Sequence, residues 1–156
     1  MPEVTAAAPR TLTEQAVEAL VEQWYAALDR HGDLDEIKQF LVDDGLELRF
    51  PEGTFRGHTG FAGWYENVIH RFFDEEHTVV KVRAEIDGTE ATVRVHVNWQ
   101  AKVWNAPAAN SEWLGFDAHQ TWTVVARRNA PVPLIKTYIC NALEPMPGSA
   151  ALEGVG

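Results

Sequence analysis

The chain has 156 residues, about one domain's length, and 46% of them are hydrophobic, enough to fill one core. Thirteen Lys and Arg against 23 Asp and Glu leave a formal net charge of −10, a field that repels phosphate backbones and anionic membrane surfaces, so no nucleic-acid or membrane partner is expected. The one cysteine, Cys140, has no partner for an internal disulfide. No signal-peptide pattern and no bilayer-length apolar run occurs, and a cytoplasmic protein is expected.

Residues 1–10 are rich in Ala and Pro without periodicity and are expected to be disordered, as is a flexible Pro/Gly/Ala tail over 144–156. The folded domain is expected over 11–143. Thr11 and Glu14 read as a capping box, followed by Leu12, Ala16, Leu20, Trp24 and Leu28 at four-residue spacing, an amphipathic helix to about Arg30. His31-Gly32 breaks it, and Asp33 opens a short second helix that turns Ile37, Phe40 and Leu41 inward. Leu46 to Phe50 alternates as a strand, and Thr54 to Arg56 is a short extended piece. Thr59 caps a third helix whose stripe is Phe61, Trp64, Tyr65, Val68, Ile69 and Phe72.

From His77 the period becomes two. Thr78, Val80, Val82, Ala84 and Ile86 share one face, Asp87-Gly88 is a hairpin turn, and Val93, Val95, Val97, Trp99, Ala101 and Val103 lie on the returning strand. Trp113 to Ala126 and Leu134 to Leu143 are two further strands, joined by a turn over 127–133. Helices followed by a long antiparallel meander give an α+β fold: a cone-shaped, curved antiparallel sheet, a half-barrel, wrapped around three N-terminal helices. Its open end is a natural pocket. The opposite sheet face, with Lys81, Arg83, Arg94, His96, Asn98, Gln100 and Lys102, suits solvent or a wet homodimer interface.

Six Trp, seven Phe and three Tyr exceed what so small a core needs, so they also suggest a cavity for a small apolar, cyclic ligand. Trp24, Tyr25, Phe50, Phe55, Trp64, Trp99 and Trp122 are the candidate lining, although each taken singly reads as packing. Asp29 stands at a helix C-terminus, where the macrodipole disfavours an anion; it is either a solvated turn residue or held there for a purpose. His77 follows Asp74-Glu75-Glu76 and is either an exposed histidine among carboxylates or a base. An imidazole in an apolar cavity, with a carboxylate on one ring nitrogen, presents the other nitrogen as a proton acceptor. The histidines form no metal-ligand spacing, Cys140 reads as a small core residue, and no nucleophile elbow or phosphate loop occurs. No metal and no cofactor are expected.

The order helix, helix, strand, long helix, bent meander resembles the nuclear transport factor 2-like superfamily, specifically its SnoaL-like branch, which includes scytalone dehydratase and hexachlorocyclohexane dehydrochlorinase. The resemblance rests on Leu28-Asp29-Arg30, Asp33-Leu34-Asp35, Leu46-Glu47-Leu48-Arg49-Phe50, Gly53-Thr54-Phe55-Arg56-Gly57 and His77 entering the sheet. It implies that Asp29 and His77 meet inside the cone as an Asp-His dyad. The chain departs from scytalone dehydratase in having Leu28 and Phe50 where that enzyme places tyrosines that hold a water against the substrate carbonyl. His119 or Gln120 stands near its pocket asparagine and is a candidate polar contact, with the inward face of that strand left open. Limonene epoxide hydrolase chemistry is not expected, because Arg94-Val95-His96 and Thr137 replace its Arg and two Asp.

Three functions fit this reading: a lyase or isomerase of the dehydratase or cyclase kind acting on a cyclic or polyketide-like substrate, a non-catalytic small-molecule-binding module, and an assembly subunit. What separates them is whether Asp29 and His77 touch inside an apolar pocket.

Overall fold

The computed structural model describes residues 11–127 and 132–152. The expected disorder at 1–10, part of the 127–133 turn and the last four tail residues lie outside the described residues. Helix α1 (Glu14–Asp29) is capped by Thr13 rather than Thr11, with Thr13 Oγ1 accepting the Ala16 N–H at 3.1 Å. The Leu12 N–H is instead given to the Gly88 carbonyl at 3.1 Å, which ties the entry of α1 to a β-hairpin and leaves Thr11 outside the helix. The α1 stripe is buried from Val17 to Leu28. His31 adopts φ +51° and Gly32 N–H returns to the Ala27 carbonyl at 3.0 Å, which ends the helix.

Helix α2 (Leu34–Lys38) buries Ile37. Strands β1 (Glu47–Phe50) and β2 (Gly53–Arg56) form a hairpin. Helix α3 (Gly57–Arg71) starts two residues before Thr59, its N-cap Arg56 making no side-chain capping bond. It runs directly into β3 (Phe72–Asp87), so Phe72 belongs to the strand and His77 lies inside it rather than at its start. Strands β4 (Glu90–Val103), β5 (Glu112–Val125) and β6 (Leu134–Pro145) complete one six-stranded sheet of order β2-β1-β6-β5-β4-β3. Strands β1 and β6 pair in parallel, and the other described strand pairs are antiparallel. Gly88, at φ +66°, makes the expected tight turn between β3 and β4.

The sheet curls over the helices without closing, as the sequence pattern led one to expect. Trp24 is fully buried at the centre, its ring 5.8–6.4 Å from those of Phe40, Phe61, Trp122 and Tyr138. A second cluster of Phe72, Ala101, Val103, Leu114 and Phe116 fills the far end. The residues expected as a tail do not leave the fold at 143. Met146 N–H donates to the Gly115 carbonyl and Ala150 N–H to that of Trp113, both at 2.9 Å, and Leu152 packs on the second cluster. The backbone of β5 before Phe116 has no other strand on that side, so the chain continues along it.

Strand β3 has 16 residues against 14 in β4, and the surplus sits in two bulges. The ladder slips between Phe73 and Glu76, where Asp74 takes φ +51°, and again between Val79 and Lys81. Even-numbered residues face inward at Phe72 and again at Val82, Ala84 and Ile86, whereas Glu75, His77 and Val79 face inward between the bulges. The expected common face of Thr78 and Val80 with Val82 is thereby corrected: Val80 is 54% exposed. A bulge adds one residue to one strand and reverses the alternation beyond it.

Candidate active site

Strand β3 carries His77 past the end of α1, and the helix delivers Asp29 to it. The Asp29 carboxylate accepts twice from the same residue, from the His77 backbone N–H at 2.8 Å through Oδ2 and from Nδ1–H at 2.5 Å through Oδ1. The His77 side chain is 10% exposed. Carboxylate contact at Nδ1 places the ring proton on that nitrogen and leaves Nε2 as the acceptor. One face of the imidazole stacks on Tyr25, with centroids 4.6 Å apart, which fixes the ring plane.

His77 borders a largely apolar cavity of about 110 Å³ at the open end of the cone. Of the residues expected in its wall, Phe50, Trp64, Trp99 and Gln120 are there, with Leu28, Val68, Val97 and Leu143 between them. Phe50 and Trp64 stack at 4.3 Å, with planes 3° apart, and form one flat side. The other expected lining residues lie elsewhere. Trp24 and Trp122 are sealed in the core beneath the cavity. Tyr25 is buried behind His77 and does not reach the cavity surface. Phe55 faces a side recess with Asn67 and Arg71. His119 points to the outer sheet face, stacked on His96 at 4.5 Å and bonded to Glu144 at 3.0 Å, because Ala118, Gln120 and Trp122 take the inward positions of β5.

Five polar residues of the wall were not anticipated: Glu52, Tyr65, Glu75, Tyr138 and Cys140. Tyr138 joins a buried network. Tyr25 Oη donates to Gln120 Oε1 at 2.7 Å and lies 2.9 Å from Tyr138 Oη, while Trp122 Nε1–H donates to the same Gln120 oxygen at 3.0 Å. An indole N–H only donates, so Trp122 fixes which amide atom is the oxygen. Gln120 borders the cavity. Burial drives the Tyr25 hydroxyl well above the ordinary phenol range and pushes Tyr138 up to about 12, so both stay protonated donors at neutral pH. These two hydroxyls stand at positions other than the Leu28 and Phe50 sites at which tyrosines were found wanting.

Glu75 is 4% exposed, with Oε1 accepting the Trp99 indole N–H at 3.1 Å and Oε2 in contact with His31 Nε2. Burial raises the Glu52 carboxyl although Trp64 Nε1–H donates to it at 3.0 Å, and burial likewise raises the Cys140 thiol. Both effects favour neutral groups at the rim. No sequence signal marks Glu75, which reads as one member of an acidic run until the bulge at Asp74 turns it inward. Among the described residues no three His, Cys, Asp or Glu side chains stand together as a metal site, and no helix is long and apolar enough to cross a membrane.

The model of the SnoaL-like domain matches residues 9–130, most of the chain. The chain belongs to the SnoaL-like family. No curated protein matches it in sequence. A hexachlorocyclohexane dehydrochlorinase of type 2 is similar in structure, with a TM-score of 0.69 at 16% identity over 90% of this chain and 93% of that one. So is the type 3 dehydrochlorinase of Novosphingobium barchaimii, with a TM-score of 0.68 at 17% identity over 88% and 92%. A Novosphingobium aromaticivorans protein assigned as a scytalone dehydratase gives 0.69 at 16% identity over 89% and 92%. At these identities the likeness concerns the SnoaL-like cone itself.

Proposed function

We propose that this SnoaL-like protein is a lyase or isomerase that removes a proton from a carbon acid, with His77 as the base and Asp29 as its support. The observation that carries the reading is the double contact of Asp29 with His77 at the wall of an apolar cavity. A carboxylate fixed from two directions holds the ring in one tautomer and stabilises the imidazolium that forms as the proton moves. The apolar substrate lies against the Phe50–Trp64 wall. Its activating oxygen, a ketone or phenol-derived carbonyl, accepts from Gln120 Nε2–H, which stabilises charge developing on an enolate. The cavity of about 110 Å³ is of the order of those that hold a benzene ring, about 150 Å³, which favours a single substituted ring over a fused polyketide. Dehydration, isomerisation and ring closure all begin with this step. The reading further includes a cytoplasmic setting, in keeping with a lone thiol, and a homodimer formed through the outer face around Arg94 and His96.

The test is α-proton exchange. A panel of cyclic ketones and phenols is incubated with protein in deuterated water, and deuterium uptake is followed by NMR. Uptake above background is expected for members of the panel, abolished in His77→Ala and slowed about 10²–10⁴-fold in Asp29→Asn. Equal exchange in all three proteins would remove the dyad from the chemistry. Tight ligand binding with no exchange by the unmodified protein would make the cone a binding module.

A further inference from the structure

We infer that Glu75, with His31 behind it, is the proton donor to the leaving group, which equips the protein to eliminate water or an alcohol as a base alone could not. This rests on the reading of His77 as base. Glu75 and His77 are two residues apart on the inward face of β3, within the segment that the bulges turn over, and both border the cavity. Side chains at such positions are about 7 Å apart along a strand. That span admits one two-carbon unit with a hydrogen bond of about 3 Å on either side. A base alone suffices when chloride departs, because chloride leaves as a stable anion. A hydroxyl does not leave from carbon without taking a proton.

The surroundings of Glu75 fit the task. Its side chain is 4% exposed and that of its partner His31 is 27% exposed, so the pair joins the buried cavity wall to the surface. His31 reaches the carboxylate because its left-handed backbone turns the chain at the end of α1. Trp99 Nε1–H holds Oε1 at 3.1 Å and fixes the carboxyl plane. Tyr65, the phenol facing this pair from α3, spends its own proton on the Gly32 carbonyl at 2.6 Å and is pushed up to about 12, mainly by burial, so it does not compete as the donor.

The step balances as follows. The bond from the α-carbon to hydrogen breaks, and the proton goes to His77 Nε2. The electron pair becomes the new carbon–carbon π bond. The bond from the β-carbon to oxygen breaks, and the oxygen, leaving with its electron pair, takes the proton that the Glu75–His31 pair carries. His31 recovers a proton from solvent, and His77 returns its proton to solvent. The products are an enone and water. Glu75 is the catalytic residue of this step, and His31 is a positioning residue that reloads it.

The experiment uses a ring ketone that the protein deuterates, bearing either hydroxyl or chloride on the β-carbon, and follows enone absorbance with the unmodified protein, Glu75→Gln and His31→Gln. Glutamine keeps the shape and the acceptor for Trp99 but has no proton to give. The inference expects Glu75→Gln to slow loss of hydroxyl about a hundredfold or more, within the range for general acids. Loss of chloride and α-deuteration should fall far less, so that the ratio of hydroxyl to chloride turnover drops about tenfold or more. His31→Gln should show the same preference for slowing loss of hydroxyl over loss of chloride. Equal loss with both leaving groups, or none with either, overturns the donor role while leaving His77 as base. If the unmodified protein deuterates no ketone of the panel, the reading of His77 falls and the donor role falls with it.

Discussion

The hydroxyl network beneath the cavity makes an unequal prediction about two tyrosines of similar burial. Tyr25 has one proton, and Gln120 Oε1 can only accept, so that proton goes to Gln120 across 2.7 Å. At the 2.9 Å contact between the phenols, Tyr138 is therefore the donor and Tyr25 the acceptor. Tyr25→Phe removes the acceptor and strands the Tyr138 proton in a buried site, at a cost of about 1–3 kcal/mol. Gln120 Oε1 keeps its bond from Trp122, so no second orphan arises. Tyr138→Phe removes one donated bond and leaves the Tyr25 proton on Gln120, and costs about 0.5–1.5 kcal/mol. In the double variant the stranded proton is gone as well. Its cost should be no greater than that of Tyr25→Phe alone, short of the sum of the singles by about 1 kcal/mol. Urea unfolding at neutral pH, with unchanged m-values, measures all three. A Tyr138→Phe cost at or above that of Tyr25→Phe, or additive singles, would refute the donor order and with it the orientation assigned to the Gln120 amide.

All three tyrosines of the chain have phenol groups raised by burial, Tyr65 and Tyr138 to about 12 and Tyr25 well above 10.0. The folded state therefore holds phenol protons more tightly than the unfolded state. Their contribution to stability is complete below about pH 10 and is lost as pH rises towards about 12. Alkaline titration should show tyrosinate absorbance appearing together with unfolding rather than before it. Glu52→Gln keeps an acceptor for Trp64 and removes a charge that burial disfavours. It should equal or exceed the parent in urea midpoint at neutral pH and lose that advantage below pH 4.5, where the raised carboxyl of the parent is protonated. A Cβ at Gly115 would lie 2.5 Å from the Trp113 ring and 2.8 Å from Met146 Sδ, so Gly115→Ala should cost about 1–3 kcal/mol, read as a lowered melting temperature.

The helices, the hairpin at Asp87-Gly88 and the curling meander were legible because periodicity reports burial, and burial is what the core requires. The meeting of Asp29 and His77 was legible through the family resemblance and not through spacing. The remaining polar wall was hidden for separable reasons. Tyr138 and Cys140 come to the cavity through the pairing of β6 with β5, a contact between segments that no local pattern encodes. His119 and Gln120 differ by one position, and only the register decides which of them faces inward. Glu75 depended on a bulge, and an acidic run with one extra residue has no periodicity to betray it.

Strand β3 lies at the edge of the sheet, with β4 on one side only, and an unpaired edge invites a strand from another molecule. Two bulges break this edge into short lengths, and at His77 the backbone N–H is already taken by Asp29. The carboxylate that orients the imidazole thus also stops the edge where it would otherwise be most open to pairing. Loss of Asp29 should then carry a colloidal consequence separate from any catalytic one. A variant such as Asp29→Ala exposes a donor on a strand edge and should self-associate on storage, whereas His77→Ala, which keeps that backbone bond, should remain dispersed.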